Sequence, residues 1–279
     1  MTPAHPLTIS KRPEGQPTRG KTARNRLRQV DHFMLRYDPG LWTRRDGAFD
    51  EALFVDLGYG AEPFTALESA ARLRRLNPAL KVLGVEIDPE RVAGAQPYAG
   101  DGIFFRLGGF NLPLEAGESV RAVRAFNVLR QYEQTDVAPA WERIARGVLP
   151  GGLLVEGTSN PTGGIWAANV LRRLDEGQAP SWGHEALVFF TNFSLGFDPG
   201  AFQTILPKNY IHRVMPGEPI FDFFAAWKAA AAETSAMQAW GLRQWYVAAA
   251  TSLAGRGYRI NLRRTWLSKG WMIWEEPCE

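Results

Sequence analysis

Strand-like apolar segments alternate with helical segments along the central part of this chain of 279 residues, and this alternation constrains the fold more than any other feature. The first strand-like segment is ALFVDLG (52–58), a helical pattern follows over 63–76, and KVLGVEID (81–88) is the next strand. A short helix from Pro89, strands at 102–109, 121–129 and 151–158, and a helix at 136–149 follow. Such repeated units predict an α/β fold with a parallel sheet covered by helices on both faces.

The stretch FVDLGYGAEPFT (54–65) lies where a ligand is expected, at the carboxyl end of the first strand. Its glycines allow the backbone to approach a ligand, and amide groups of the following helix point into the site. A dinucleotide site expects G-x-G-x-x-G with an acid about 20 residues further on. Here the third glycine is missing and Glu86 comes 28 residues after Gly58. The spacing therefore disfavours a nicotinamide oxidoreductase.

The segments D-L-G-Y-G (56–60) and V-E-I-D-P (85–89) resemble the first two motifs of the class I S-adenosylmethionine (SAM)-dependent methyltransferases. FRLGGFNLPL (105–114) is similar to the region of that family that lines the adenine, and FNVLRQY (126–132) to the segment facing the methyl group. The resemblance implies SAM as cofactor and a Rossmann-like, seven-stranded, mostly parallel sheet with a terminal antiparallel hairpin. The implied cofactor residues are Asp56, Gly58, Tyr59, Gly60, Glu86, Ile87, Gly109, Phe110 and Asn127.

The resemblance implies a physical role in cofactor binding for two acidic residues, Asp56 and Glu86. Asp56 is expected near the ammonium and sulfonium groups of the cofactor, and Glu86 is expected to accept hydrogen bonds from the ribose hydroxyls. Two positions depart from the family pattern: Glu62 replaces a glycine, and Gly108 replaces an acid whose hydrogen bond to adenine is worth about 0.5–1.5 kcal/mol. A protein that binds SAM without catalysis therefore stays open as an alternative.

Methyl transfer depends mainly on holding the acceptor in line with the methyl group, and it needs a general base only if the acceptor retains its proton. Arg130 and Tyr132, after the fourth strand, are predicted to position the acceptor. Glu156 and His212 are the candidate bases, although both residues also suit structural roles. The four histidines lack metal-ligand spacing such as H-E-x-x-H, so no metal site is predicted.

Positive charge is concentrated at the start of the chain. Residues 1–45 contain ten Lys and Arg against three Asp and Glu, whereas residues 46–279 contain 22 against 26. The first 22 or so residues are polar and predict disorder, and 23–35 predict a helix with Leu27, Val30 and Met34 on one face. We therefore divide the chain into a basic arm (1–45) and a methyltransferase domain (46–279). The arm suits either a docked helix with a solvated face or a basic clamp or lid over a ligand, with nucleic acid as one candidate ligand.

Residues 159–221 are rich in aromatic side chains and predict an insertion or cap that chooses the substrate. These aromatic residues favour packing beneath the insertion over a substrate pocket. The Ala-rich helix at 221–254 and two strands within 256–276 are predicted to end the sheet in a hairpin.

The cysteine count, the apolar segments and the ratio of lysine to arginine indicate where the protein is found. Cys278 is the single cysteine, and neither a secretory signal nor an apolar run of transmembrane length is present. We expect a cytoplasmic protein without a membrane partner, and the 6 Lys against 26 Arg are associated with bacterial origin. A small molecule is the expected methyl acceptor, and RNA or another macromolecule is the alternative; the sequence leaves the oligomeric state open.

Overall fold

The computed structural model describes residues 12–16 and 23–277. The centre of the fold is one mixed sheet of eight strands. The strands of this sheet are β1 Leu53–Leu57, β2 Val82–Glu86, β3 Ile103–Leu107, β4 Val120–Phe126, β5 Val148–Ser159, β6 Ile165–Arg173, β7 Trp182–Thr191 and β8 Trp271–Glu275. The α-helices of the described residues are α1 Arg28–Tyr37, α2 Pro39–Thr43, α3 Phe64–Leu73, α4 Pro89–Ala95, α5 Val137–Ala145, α6 Lys208–Ile211, α7 Pro219–Glu233, α8 Leu242–Gly255 and α9 Arg264–Leu267.

The strand order is β3-β2-β1-β4-β5-β6-β7-β8. Strands β1 to β5 pair in parallel, whereas β6, β7 and β8 each run antiparallel to the strand before them. The predicted parallel α/β core is therefore confirmed. Its strand order reverses between β1 and β4, so the carboxyl ends of these strands form the crevice where such sheets bind ligands.

Eight strands replace the predicted seven, because residues 159–221 contribute to the sheet itself. They supply β6 and β7, which form a long antiparallel hairpin continuing from β5. The aromatic residues of this region are packed as expected: Trp166, Phe189 and Phe190 are buried, and Phe202 packs beside Phe189 with a ring distance of 5.5 Å. Strands buried on both faces lack the apolar and polar alternation that reveals a strand in a sequence.

The sheet ends in antiparallel pairing, as predicted, but with a different connection. Strand β8 pairs with β7, and residues 259–261 pair with its other edge through the amides of Asn261 and Glu275, at 2.9 and 2.8 Å. The short helix α9 lies between these two segments, within the part of 256–276 where we predicted the first of the two strands. The predicted helix at 221–254 is divided: α7 ends at Glu233, a 3-10 helix follows over Ser235–Trp240, and Gly241, with a φ of 101°, precedes α8.

Helix α1 of the basic arm is part of the main hydrophobic core. The predicted apolar face of Leu27, Val30 and Met34 is buried, together with Phe33. The predicted disorder of the first 22 residues falls mostly on residues 1–11 and 17–22, which lie outside the described residues. Within the described ranges, every helix is too short or too polar to cross a membrane.

Candidate cofactor site and the adjacent groove

A pocket of about 260 Å³, including the part open to solvent, lies at the carboxyl ends of β1, β2 and β3, beside the point where the strand order reverses. Its walls come from the loops that follow these strands and from the turn after β4. The lining residues are Glu14, Gly15, Gln16, Leu57, Gly58, Val85, Glu86, Ile87, Gly108, Gly109, Phe110, Val128 and Tyr132. The structure thus brings together Gly58, Glu86, Ile87, Gly109, Phe110 and Tyr132 of the predicted site residues.

The turn after β1 orients the carboxylate of Glu86, the last residue of β2, at the pocket. Gly58 and Gly60 have φ values of 72° and 90°, which side chains with a Cβ rarely adopt, and the turn therefore requires glycine. Glu86 is 1% exposed and accepts hydrogen bonds at 2.9 Å from the backbone N–H groups of Gly60 and Ile87. A carboxylate has about four acceptor positions, so Glu86 retains capacity for ligand hydroxyls.

Gly108 and Glu62, the two departures from the family pattern, lie in different parts of the structure. A Cβ at Gly108 would lie 2.6 Å from the ring of Pro113, so the close packing of this proline excludes the acid that the family often has there. Glu62 is exposed and lines a different groove, formed by the start of α3 and by α4. Glu62 therefore lies outside the pocket.

Residues 12–16 occupy one side of the pocket. The carbonyl oxygen of Glu14 accepts from the N–H of Phe110 at 2.9 Å, and the N–H of Gln16 donates to the hydroxyl of Tyr132. The Glu14 carboxylate pairs with Arg143 at 2.8 Å. A Cβ at Gly109 would lie 2.0 Å from the Glu14 carbonyl oxygen, so only glycine allows this close approach. This segment fills space at the predicted adenine end of the pocket.

Asp56 lies in a buried ionic network beneath the pocket. Arg124 of β4 contacts its carboxylate at 2.9 Å, and the hydroxyl of Thr65 donates to it at 2.6 Å. Arg124 also pairs with Asp31 of α1, which pairs with Arg72 at 2.7 Å. Burial alone would lower the pKa of Arg124, but the two aspartates more than offset burial and hold that pKa above its ordinary value. Asp56 is thus paired directly with a buried cation, so it presents no uncompensated charge to a ligand.

Tyr59 and Gly60 belong to the turn after β1, but neither residue lines the pocket. The Tyr59 ring packs edge-on against Phe105, with ring centroids 5.4 Å apart, on the side away from the pocket. Burial, and then the charge of Glu86, raise the pKa of Tyr59 above its usual range. The hydroxyl of Tyr132 lies in the pocket wall, and burial raises the pKa of that hydroxyl as well.

A second, more polar groove lies beside the first pocket, at the carboxyl ends of β4 and β5. We call it the arginine groove; its lining residues are Arg26, Asn127, Arg130, Gln131, Ser159, Asn160, Pro161, Thr204 and Ile205. Its volume, including the part open to solvent, is about 1070 Å³. Arg130 and Asn127, both predicted from the sequence, lie here rather than in the first pocket.

Neither predicted base lines the pocket or the arginine groove. His212 is exposed at the end of α6, where its ring nitrogen lies 2.9 Å from Lys208 Nζ. Glu156 is 1% exposed inside the sheet, and its carboxylate accepts from Asn169 Nδ2 at 2.9 Å. Burial raises the pKa of Glu156 to about 7, and the bond from Asn169 opposes this rise. Both residues therefore lie away from the two cavities.

Glu156→Gln is expected to stabilise the protein at pH 8 but not at pH 4.5. The native carboxyl binds a proton up to about pH 7, whereas the unfolded one loses it near pH 4.5. The Glu156 contribution to the free energy of unfolding therefore falls as pH rises from 4.5 to 7, by up to about 3 kcal/mol. Urea denaturation of both proteins at the two pH values measures this difference.

His184 changes the free energy of unfolding in the opposite direction over nearly the same pH range. Burial lowers its pKa to about 4, so its contribution to stability grows as pH rises from about 4 to 6.5. Because His184 is present in both proteins, its effect cancels in the comparison of Glu156→Gln with the parent. An equal difference in stability at pH 4.5 and pH 8 would contradict the prediction for Glu156.

Several residues at the two cavities were not predicted from the sequence. Glu14, Gly15 and Gln16 contribute mainly backbone groups, which leave no pattern in a sequence. Arg26 belongs to a run of arginines in which nothing distinguishes it from Arg24 and Arg28. The available signal was the position of Ser159 and Asn160 at the end of the strand predicted over 151–158, because polar residues at such ends line the ligand crevice.

No protein-family model matches the sequence, and no curated protein matches it either. Solved structures do resemble the chain. NodS, an N-methyltransferase from Bradyrhizobium japonicum WM9, is 18% identical over 48% of this chain and 69% of its own, with a TM-score of 0.33. CalS10, an amino pentose methyltransferase from Micromonospora echinaspora with bound SAM, is 19% identical over 61% of this chain and 68% of its own, with a TM-score of 0.33.

Methyltransferases recur among these similar structures. Another similar structure is a pericyclic reaction enzyme, 20% identical over 43% of this chain, with a TM-score of 0.34. This chain spans 30% of the length of that enzyme and 27% of the length of LepI in complex with SAM. The likeness is therefore partial in both identity and coverage.

Proposed function

We propose that this protein is a SAM-dependent methyltransferase, of the EC 2.1.1 type, that acts on a small-molecule acceptor. The observation that carries the proposal is the meeting of Gly58 and Glu86 with Gly109 and Phe110 in one pocket at the carboxyl edge of the sheet. Those residues come from three separate segments, each of which matches a cofactor motif of the family in sequence.

The residues of the pocket fit the cofactor. The Glu86 carboxylate would hold the ribose hydroxyls, and the N–H of Phe110 would donate to the adenine in place of the Glu14 carbonyl that it now contacts. Apolar side chains of Leu57, Val85 and Val128 supply walls for the ring. Residues 12–16 would leave the adenine end as the ligand enters.

When bound, SAM supplies a methyl group on a sulfonium, which is already a good leaving group. The protein then has to hold the acceptor atom in line with that methyl group and keep it there, since positioning provides most of the rate enhancement in such a reaction. The turn after β4 separates the pocket from the arginine groove, so an acceptor in the groove would approach from the side of Asn127.

Titration calorimetry with SAM and with S-adenosylhomocysteine (SAH) tests the proposal directly. We expect micromolar dissociation constants, and Glu86→Gln is expected to weaken SAH binding by about 1.5–3 kcal/mol, the range for hydrogen bonds to a charged group. Glu62→Gln is the matched control, because it makes the same substitution at an exposed position outside the pocket. Equal affinities of the two variants would refute the assignment of Glu86, and no binding of either ligand to the parent would refute the proposed function.

A further inference from the structure

The arginine groove contains two guanidinium groups without a carboxylate partner. Among residues 12–16 and 23–277, no Asp or Glu oxygen lies within 4.0 Å of a charged nitrogen of Arg26 or Arg130. Most other buried or half-buried arginines of this protein pair with acids, as Arg72, Arg124 and Arg172 do. Arg26 and Arg130 are therefore the cations that an incoming anion would meet.

Hydrogen bonds to neutral oxygens fix the orientation of Arg26. Its Nε donates to Ser159 Oγ and to the carbonyl oxygen of Asn160, both at 3.0 Å, and its Nη2 donates to the Ser159 carbonyl oxygen at 2.8 Å. Nη1 has no hydrogen-bond partner among the described residues. The guanidinium is thus held rigidly, its charge is not neutralised, and one edge stays available for a ligand.

Arg130 enters the same groove from the turn after β4. Its side chain is exposed, and Nη2 donates to the carbonyl oxygen of Thr204 at 3.2 Å. Burial lowers the pKa of Arg26, and the charge of Arg130 lowers it further. The two like charges therefore repel each other, and an anion between them would relieve this repulsion.

The floor of the groove is held in an uncommon conformation. Asn127 has a φ of 61°, the left-handed region that few residues other than glycine adopt. Its Oδ1 accepts from the N–H of Ser159 at 3.1 Å, which links the ends of β4 and β5. Backbone outliers of this kind cluster at functional sites, where the surrounding structure holds them.

The arginine groove and the cofactor pocket share no lining residue. Val128 lines the pocket, whereas its neighbour Asn127 lines the groove. The side chain of Gln131, in the groove wall, donates to the carbonyl oxygen of Gln16 at 3.0 Å, so that residues 12–16 and this turn form a partition. An anion in the groove would therefore be a ligand separate from the cofactor.

We propose that the arginine groove binds the methyl acceptor through a carboxylate or phosphate group held between Arg26 and Arg130. This inference rests on the proposed methyltransferase function and specifies the class of its substrate. The groove lining contains no Asp, Glu, His or Lys. Since the groove offers no general base, the acceptor atom has to present an unprotonated lone pair to the methyl group.

The test uses the full-length protein with inorganic phosphate and, separately, acetate as probes. Each anion is added at constant ionic strength, set with chloride, and the thermal midpoint gives the apparent affinity by linkage. We expect Arg130→Gln to weaken binding of the preferred anion at least tenfold, and Arg26→Gln to do the same. Arg28→Gln is the matched control, because it removes an equal charge from an exposed position outside the groove. Phosphate and acetate together distinguish the two acceptor classes.

Three results would overturn the inference: no anion-specific stabilisation, equal losses in Arg130→Gln and Arg28→Gln, or displacement of the anion by SAH. The last result would assign the groove to the carboxylate of the cofactor itself. Displacement of phosphate by a single-stranded RNA oligonucleotide, with a steep salt dependence, would overturn a small-molecule acceptor in favour of RNA. SAH binding is measured on the same samples, so loss of the proposed function and loss of the anion site are distinguished.

Discussion

Arg124→Met is expected to destabilise the protein by about 3–5 kcal/mol at pH 8, because it removes the cation shared by two buried carboxylates. Arg124 and Asp31 are fully buried, and Asp56 is 2% exposed. In the variant Asp56 would keep only the hydroxyl of Thr65 as a partner for its carboxylate. Burial without that cation favours the protonated carboxyl groups, so the native variant would bind more protons than its unfolded chain. The loss is therefore expected to be smaller at pH 5 than at pH 8.

Arg121→Met provides the matched control for this prediction. Arg121 lies on the same strand, three residues away, and is equally buried, but its partners are backbone carbonyl oxygens, including those of Leu41 (2.8 Å) and Ala52 (2.9 Å). Its removal leaves neutral acceptors unpaired, at a cost of about 1–3 kcal/mol without pH dependence. Urea denaturation followed by circular dichroism measures both variants. The same pH dependence in both would contradict a charge-specific role of Arg124.

Replacement of residues 12–16 by Gly-Ser-Gly-Ser-Gly is expected to tighten SAH binding about tenfold, which corresponds to about 1.4 kcal/mol. In the parent, a ligand has to displace the Glu14 carbonyl from the Phe110 N–H and the Gln16 amide from Tyr132. Together with the hydrogen bonds to Asn111 and Gln131 and the ion pair with Arg143, these bonds largely offset the entropy lost in ordering the five residues, so only a small net free energy holds the segment in place. Calorimetry of parent and variant measures the change.

Arg143→Ala separates this displacement from the loss of one ion pair. It removes only the contact between Arg143 and Glu14, whose side chains are 42% and 35% exposed. Exposed ion pairs contribute about 0–1 kcal/mol, so SAH affinity is expected to rise at most about fivefold. Weaker SAH binding by the Gly-Ser variant would contradict the prediction, since it would mean that residues 12–16 cover the bound cofactor instead of competing with it.

The parallel half of the fold was predictable because its strands are short apolar segments separated by helices of clear periodicity. The antiparallel half was not, since β6 and β7 are buried on both faces and carry the aromatic residues that suggested a cap. The spacing of Leu27, Val30 and Met34 predicted which face of α1 is apolar and therefore buried. It did not predict which surface of the domain that face contacts.

The site was predictable where it depends on local spacing. The glycines after β1 and Glu86 at the end of β2 lie as the motif positions imply, because neighbouring parallel strands bring their carboxyl ends together. The partners of Asp56 were not predictable: Arg124 is 68 residues away, and the network closes through Asp31 of the arm. Periodicity within one segment carries no information on such distant pairing.

Helix α1 completes its packing against β8 and the helix before it, α9. The Phe33 ring lies 5.7 Å from that of Trp266 and 6.4 Å from that of Trp271, and Tyr37 donates to Glu185 at 2.9 Å. At about 5–20 residues per second, the ribosome needs on the order of 10–50 s to make the residues between Phe33 and Trp271. During that interval the apolar face of α1 lacks the rings of Trp266 and Trp271, so its packing is completed only late in synthesis.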